Sequence, residues 1–437
     1  MKKIVIIGGG AGGLQLATSL GRYFSFSPLL NRRRKSPAAQ VTLVDRNRTH
    51  IWKPLLHQVA TGALDSSLDA LNYQVHARGN GFQFELGSLQ GLDRNNRTIE
   101  LAPVCDDGGT QLLPARKLEY DYLVIALGSQ SNDFNTPGVR ENCQFLDSAE
   151  QAQRFHRKLL DQFLQLENRV ADRVQIAIVG GGATGVELAA ELVDAAHEMG
   201  HYGRIANGDL KVTLIEAGPH LLPALPPRLG NSSEKELARL GVRVLTGTQV
   251  AEANARGFVT ASGEEIPAAV RVWAAGVKAP DFLQQLDGLA LNRQNQVEVK
   301  ATLQSKSDPH IFALGDCAGC IDGNEKKVPP RAQAAQQMAK TARDNLIALV
   351  EGPDTQLQPF VYKDRGSLVS LSKFDAVGSL MGGLVRGSLT IEGRLAGLAY
   401  RSLYRMHLAA LHGWPKAMLL YLVGHANRFV KPRLKMH

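Results

Sequence analysis

A chain of 437 residues has room for roughly two to three domains and a sizeable core. Its 44% hydrophobic and 21% charged content excludes a disordered or fibrous protein, and four cysteines in this length exclude a disulfide framework and fit a reducing compartment. The net charge of +9 is concentrated: residues 393–437 hold Arg394, Arg401, Arg405, Lys416, Arg428, Lys431, Arg433 and Lys435 and no Asp or Glu, so the remainder of the chain is almost neutral. Such a tail calls for an anionic partner, lipid or nucleic acid.

The chain begins Met-Lys-Lys and passes at once into the apolar run 4–7 and a glycine cluster, with no cleavage site, so no signal peptide is expected. The run predicts a buried parallel strand. Gly8, Gly10 and Gly13 fit G-x-G-x-x-G, with Ala11 and Gly12 between them. In that pattern the first glycine makes a tight turn and the second lets backbone approach a pyrophosphate. The third lets helix and strand pack closely, and the helix N-terminus faces the phosphates. A second strand, 41–45, ends in Asp45, which can accept from ribose hydroxyls. The distance from motif to acid exceeds the usual ~20 residues. The excess includes the basic run 31–35, read as a solvated loop.

Residues 49–62 mix apolar side chains with His50, Lys53 and His57 and predict a structured loop with a short helix. No histidine here has metal-ligand spacing, and each is read as structural. Segments 82–89 and 97–104 predict β-hairpins. A buried strand over 122–126 ends at Gly128, and a helix is expected near 149–167.

The chain then repeats itself. Residues 4–20 align with 176–192 at ten identities in 17, and VTLVD at 41–45 is echoed by VTLIE at 212–216. Two copies of a nucleotide-binding unit imply two nucleotides. The second copy places Gly180, Gly182 and Gly185 in the glycine positions and Glu216 in the acid position. It also places Glu187 where the first copy has Gln15. On its own Glu187 is an ordinary acid in the first helical turn, where the dipole favours an anion.

Beyond Ala275-Gly276, the segment 308–316 predicts a strand ending in Gly315-Asp316; the acid alone reads as a helix N-cap. A helix over 331–349 puts Gln333 and Gln337 on one face. Cys317 and Cys320 lack the further ligands a zinc site needs, so no metal is expected and the thiols are read as structural. Strands are expected over 366–371 and 382–391. An amphipathic helix with its bases on one face is expected over 395–412, and a second helix with Pro415 at its first position. The longest apolar run is far below the ~18–20 residues that span a bilayer. The tail should therefore lie on a membrane, or else pack on the body or a second subunit as a possible homodimer.

Taken together, GGGAGG (8–13), IWKPLLHQVATG (51–62), ALG (126–128), GGGATGVELA (180–189), AAG (274–276), FALGDCA (312–318), RAQAAQQ (331–337) and the basic tail resemble the type II NADH:quinone oxidoreductases, over essentially the whole chain. These are flavoproteins with two dinucleotide-binding domains, and the tail looks most like that of the enterobacterial enzymes. The resemblance implies an α/β fold with two Rossmann-like domains and a C-terminal membrane-associating segment. Residues 1–143 with 277–365 would form a discontinuous FAD-binding domain, 144–276 an NADH-binding domain, and 366–437 a membrane-surface domain. It implies hydride transfer from NADH to non-covalent FAD, then two-electron reduction of a membrane quinone such as ubiquinone, without proton pumping and without an iron–sulfur cluster. The enzyme would be peripheral on the cytoplasmic face of the inner membrane, with no nucleic-acid partner.

Residue by residue, the resemblance puts FAD on Gly8, Gly10, Ala11, Gly12, Gly13, Asp45, Gly128, Gly315 and Asp316. It puts NADH on Gly180, Gly182, Gly185, Glu216, Ala275 and Gly276. Glu187 would sit beside nicotinamide and flavin, and Gln333 and Gln337 would donate to the quinone carbonyls. Glu216, with no arginine over 217–220, favours NADH over NADPH. Two other readings stay open at this point. One is a soluble flavoprotein reductase serving ferredoxin or a peroxide, which would not need the acid-free tail. The other is a non-enzymatic NADH-responsive flavoprotein, which would be reoxidised slowly by every quinone.

Overall fold

The computed structural model describes residues 1–26, 36–66, 70–202, 208–352, 355–371, 375–382, 385–392, 405–415, 417–419 and 422. The chain divides into two compact units, each assembled from three stretches.

The first unit comprises Met1–Trp52, Ala70–Gln130 and Lys278–Lys363. Its centre is a five-stranded sheet in the order Ile311–Ala313, Tyr122–Ile125, Lys2–Ile7, Ala39–Asp45, Gln83–Leu86, parallel throughout. Unbroken apolar runs suit strands covered on both faces, and Ile4, Ile6, Leu43, Val124 and Phe312 are all fully buried. The register pairs Ile4 with Tyr122 on one side and with Val41 on the other. Helix Ala11–Ser25 leaves the first strand directly after the glycine loop, and helix Ala332–Glu351 packs against it.

One pairing differs from the sequence expectation. The segment 82–89 is not the first arm of a hairpin. Its strand Gln83–Leu86 joins the parallel sheet, Thr42 facing Gln83, and the antiparallel sheet is built from Leu89–Asp93, Thr98–Leu101 and Arg116–Glu119. A parallel partner needs a crossover, and helix Tyr73–Asn80 supplies it.

The second unit comprises Lys53–Asp69, Ser131–Val277 and Asp364–His437. Its parallel sheet has the order Arg243–Leu245, Leu210–Ile215, Val174–Val179, Val270–Trp273. Helix Ala183–Tyr202 follows the central strand, repeating the opening of the chain. Helix Ala149–Glu167 starts where Ser148 accepts from Gln151 N at 3.2 Å, and it buries Ala152, Phe155, Leu159, Phe163 and Leu166, a three-to-four-residue spacing that makes one apolar stripe.

The break after Val277 falls one residue from the expected 276/277, while 131–143 and 364–437 group with the second unit in this division. Residues 131–143 attach to the second unit because Ala253 N donates to Pro137 O and Ser131 N donates to Asp147 Oδ2. Helix Leu56–Thr61 joins it by packing against Ala149–Glu167 and Ala183–Tyr202. Strand Gly366–Leu371, the edge of a three-stranded antiparallel sheet, also packs on Ala183–Tyr202.

Residues 405–412 are helical and end at Gly413 (φ +79°), and a second helical stretch starts at 414 with Pro415 in its first turn. The expected start of the amphipathic helix at 395, the basic run 31–35 and seven of the eight tail bases lie outside the described residues. Among those described, no helix is long and apolar enough to cross a membrane.

Candidate functional site: two glycine cradles

In the first unit the turn at Gly8 uses φ +102°, a left-handed conformation open to glycine, and a side chain there would collide with Ala126 O. A Cβ on Gly13 would collide with Gly8 O, so strand and helix meet there without room for a methyl. Over Gly10 the reverse holds: a Cβ would meet no protein atom within 4 Å. The loop is therefore closed against its own fold at the first and third glycines and open at the second, where a pyrophosphate must approach. Ala11 begins the helix, and Gly12 lets Ala335 O come within 3.0 Å of where its Cβ would be.

Asp45 secures the loop: its Oδ2 accepts from Gly9 N at 2.7 Å and its Oδ1 from Asn47 N at 2.8 Å. Behind the loop, Tyr73 OH donates to Gly9 O at 2.8 Å. Burial, and next the charge of Asp45, raise the Tyr73 phenol well above its ordinary value, so it stays a donor. His50 also hydrogen-bonds the Gly9 backbone, and burial pushes its imidazole down to about 4.

A second turn comes beside the first. Gly128 (φ +69°) has open space where a Cβ would stand, and Ser129 Oγ donates to Asp316 Oδ2 at 2.7 Å. The Asp316 carbonyl accepts from Gln296 Nε2 at 2.9 Å. Asp316 is not a helix cap. Gly315–Cys317 is a single 3₁₀ turn whose cap makes no side-chain hydrogen bond, and the long helix starts only at Ala332. Open space over Gly10 and Gly128, a free helix start and the two carboxylates Asp45 and Asp316 fit a dinucleotide cofactor such as FAD. Cys317 and Cys320 are buried free thiols, pushed by burial up to about 11 and about 12, and Cys317 Sγ donates to Leu314 O at 3.4 Å.

The second unit repeats the cradle. Gly180 adopts φ +114°, a Cβ there would lie 2.6 Å from Ala274 O, a Cβ on Gly185 would collide with Gly180 O, and Gly182 is open. Glu216 plays the part of Asp45: Oε2 accepts from Gly181 N at 2.6 Å and Oε1 from Gly218 N at 2.7 Å. Ala275 packs on a core cluster built around Val179, Phe258 and Trp273. Gly276 (φ +63°) lies against Phe134, and its carbonyl accepts from Asn132 N at 3.3 Å.

Glu187 is the fifth residue of helix Ala183–Tyr202, past the first turn rather than in it, so the helix start does not hold its carboxyl group. Instead it is 6% exposed, Oε1 accepts from Ser370 N at 3.1 Å, and Oε2 lies 3.5 Å from His57 Nδ1. His57, read from sequence as a lone structural histidine, is the residue that reading missed. No spacing signal links it to Glu187.

Gln333 and Gln337 share a face of helix Ala332–Glu351 as expected. Gln337 is otherwise employed: its Nε2 donates to Lys363 O at 2.9 Å and its Oε1 accepts from Lys363 N at 3.0 Å. Among the described residues, no group of three or more His, Cys, Asp or Glu could hold a metal.

A family model of the pyridine nucleotide-disulphide oxidoreductases matches residues 2–339. A type II NADH:quinone oxidoreductase of Haemophilus influenzae is 50% identical, with 100% of each chain covered. The chain belongs to the type II NADH:quinone oxidoreductases. A type II NADH:quinone oxidoreductase of Staphylococcus aureus is 28% identical over 88% of this chain and 91% of its own. Among solved structures, NDH2 from Plasmodium falciparum in complex with NADH superposes with a TM-score of 0.77 at 19% identity, covering 96% of this chain and 97% of that one. The sulfide:quinone oxidoreductase of Aquifex aeolicus superposes at 0.69 and 20% identity, covering 94% and 92%. At such identities these two matches show the fold alone.

Proposed function

We propose that the protein oxidises NADH and reduces a membrane quinone, without pumping protons, from the cytoplasmic face of a membrane. The observation that carries this reading is the duplicated cradle, each copy closed by its own acid. When bound, FAD would supply the redox chemistry, acceptance of hydride from NADH and donation of two electrons to the quinone. The first unit binds its diphosphate on Gly8–Gly13 and its ribose and ribityl hydroxyls on Asp45 and Asp316. The second binds NADH on Gly180, Gly182 and Gly185. Glu216 accepts from the free 2′-hydroxyl and would repel a 2′-phosphate, and Ala275 and Gly276 give the nicotinamide end a wall without bulk. Glu187 orients the nicotinamide or holds a proton at its carboxylate, and Gln333 donates to a quinone carbonyl.

Attachment to the membrane is assigned to the tail. Trp414, Met418, Leu419 and Leu422 are 72%, 60%, 60% and 53% exposed, within a segment rich in bases and free of acids. Apolar side chains in water beside many cations suit an anionic lipid surface.

The test is anaerobic. NADH should bleach the flavin of the purified protein, and an added quinone should restore its colour. Bleaching that no quinone reverses would sink the quinone assignment. Truncation after residue 392 should release the protein from membranes, and a truncated form still bound in low and high salt would sink the tail assignment. Gln333→Ala should raise quinone KM while NADH-driven bleaching continues at its normal rate.

A further inference from the structure

The Leu56–Thr61 helix is short but firmly seated. It packs on two longer helices, and at its end Gly62 (φ +82°) lies so close to the Ala149–Glu167 helix that a Cβ would stand 2.5 Å from His156 Cε1. His57 is 2% exposed. Its ring hydrogen-bonds the Pro54 backbone, whose carbonyl can only accept, while Nε2 has no hydrogen-bond partner. The ring proton is therefore on Nδ1, the nitrogen 3.5 Å from Glu187 Oε2. The Nδ1–H bonded to the Pro54 carbonyl thus also lies beside the carboxylate. Burial pushes His57 down to about 4, so at neutral pH the ring is neutral and the contact is not an ion pair.

The other carboxylate oxygen has a different holder. Strand Gly366–Leu371 is the edge of its sheet, and its outward Ser370 N–H is taken by Glu187 Oε1 at 3.1 Å. We propose that His57 is a positioning residue for Glu187, its neutral Nδ1–H holding Oε2 while Ser370 N–H holds Oε1, so that the buried acid keeps one orientation and remains able to take up a proton. A charged partner would fix the carboxylate as a poor base, and no partner would leave a desolvated oxygen that favours protonation. A neutral donor lies between these extremes. Of the titratable groups on the elements packed here, Lys53 pairs with Asp147 at 3.5 Å, Glu191 and Asp194 are buried on the helix of Glu187, and helix Ala149–Glu167 carries His156 with Glu150, Arg154, Arg157, Lys158 and Asp161.

The proposal rests on the reading of Glu187 as an active-site acid that works ionised, and the experiment separates the two. The pH profile of kcat is measured on the FAD-loaded, membrane-associated enzyme with NADH and a quinone. Glu187→Gln should abolish the acid limb of the profile. An unchanged limb and kcat in that variant would overturn the reading of Glu187, and the positioning proposal with it. His57→Phe removes the donor, so the proton affinity of Glu187 rises. The acid limb should move to higher pH by about one unit, with NADH KM and FAD content unchanged. His57→Asn, which keeps an N–H donor, should move the limb back. A limb that disappears in Glu187→Gln but stays in place in His57→Phe would overturn the proposal alone. Should His57→Phe not hold FAD, His57→Leu carries the same expectation. If neither holds it, ¹⁵N-histidine spectra of the unmodified holoenzyme decide. His57 must stay neutral and Nδ1-protonated between about pH 5 and 8, and a charged or Nε2-protonated ring overturns the assignment.

Discussion

Gly9 and Gly181 hold the same place in the two glycine loops, yet different groups hold their carbonyls. Gly9 O is tied at 2.8 Å by the phenol of Tyr73, a buried side chain from a helix outside the loop, stacked on Phe84 with ring centroids 5.1 Å apart. Gly181 O is tied at 2.8 Å by the backbone N–H of Leu222, itself at φ +54° in the segment that follows Glu216. The first loop is braced by a buried side chain and the second by buried backbone. The helices after the loops differ in the same sense. Gln15 ties its helix to Gln336 O at 3.4 Å, whereas its counterpart Glu187 is a buried acid held by Ser370 and His57. The backbone plan was copied, and the two copies diverged in the side chains around it.

The largest test of this comparison adds one methyl to each loop in turn. A Cβ on Gly13 or Gly185 would collide with the carbonyl of the glycine that opens the same loop, backbone against backbone. Gly13→Ala should cost more than about 3 kcal/mol and yield colourless protein without FAD. Gly185→Ala should leave the protein yellow but no longer bleached by NADH. If Gly185→Ala lost flavin while Gly13→Ala kept it, the assignment of the two cradles would be reversed. Next in size is Glu216→Ala, which frees Gly181 N and Gly218 N and removes the 2′-hydroxyl acceptor. NADH KM should rise by about 10-fold or more (roughly 1.5–3 kcal/mol), and the preference over NADPH should narrow. A preference left intact would move the choice of nucleotide to another residue.

Sequence shows the cradles plainly because their signals are local. Glycine spacing, the flanking strands and the terminal acids all lie within single stretches, and the helix at 149–167 shows its apolar stripe in the same way. What sequence hides is set by pairing across the chain. Gln83–Leu86 has the same composition as a hairpin arm, and only its packing beside Ala39–Asp45 makes it parallel. Gln337 looks like a partner of Gln333 until Lys363 folds back and takes both ends of its amide. His57 and Glu187 are far apart in the chain, and nothing about a histidine on an apolar turn announces a carboxylate next to it. Tyr73 is hidden for the same reason, since the carbonyl it braces lies at the start of the chain.

Tyr73→Phe gives the smallest expected effect and is the most selective test. The ring and its stacking on Phe84 remain, and only the hydroxyl on Gly9 O is lost, with His50 still hydrogen-bonded to the same backbone group. Removing one partner of a buried hydrogen bond costs about 1–2 kcal/mol. The loss should fall on the first cradle: Tm should drop by a few degrees, and FAD should dissociate faster on dilution, roughly 10-fold at 1.4 kcal/mol. The second cradle does not use this hydroxyl, because its equivalent carbonyl is served by Leu222 N. NADH affinity in the FAD-saturated variant should therefore match that of the unmodified protein. Equal losses of FAD and NADH binding would mean that the two loops are not braced independently, and the contrast between a cradle braced by a side chain and one braced by backbone would fail.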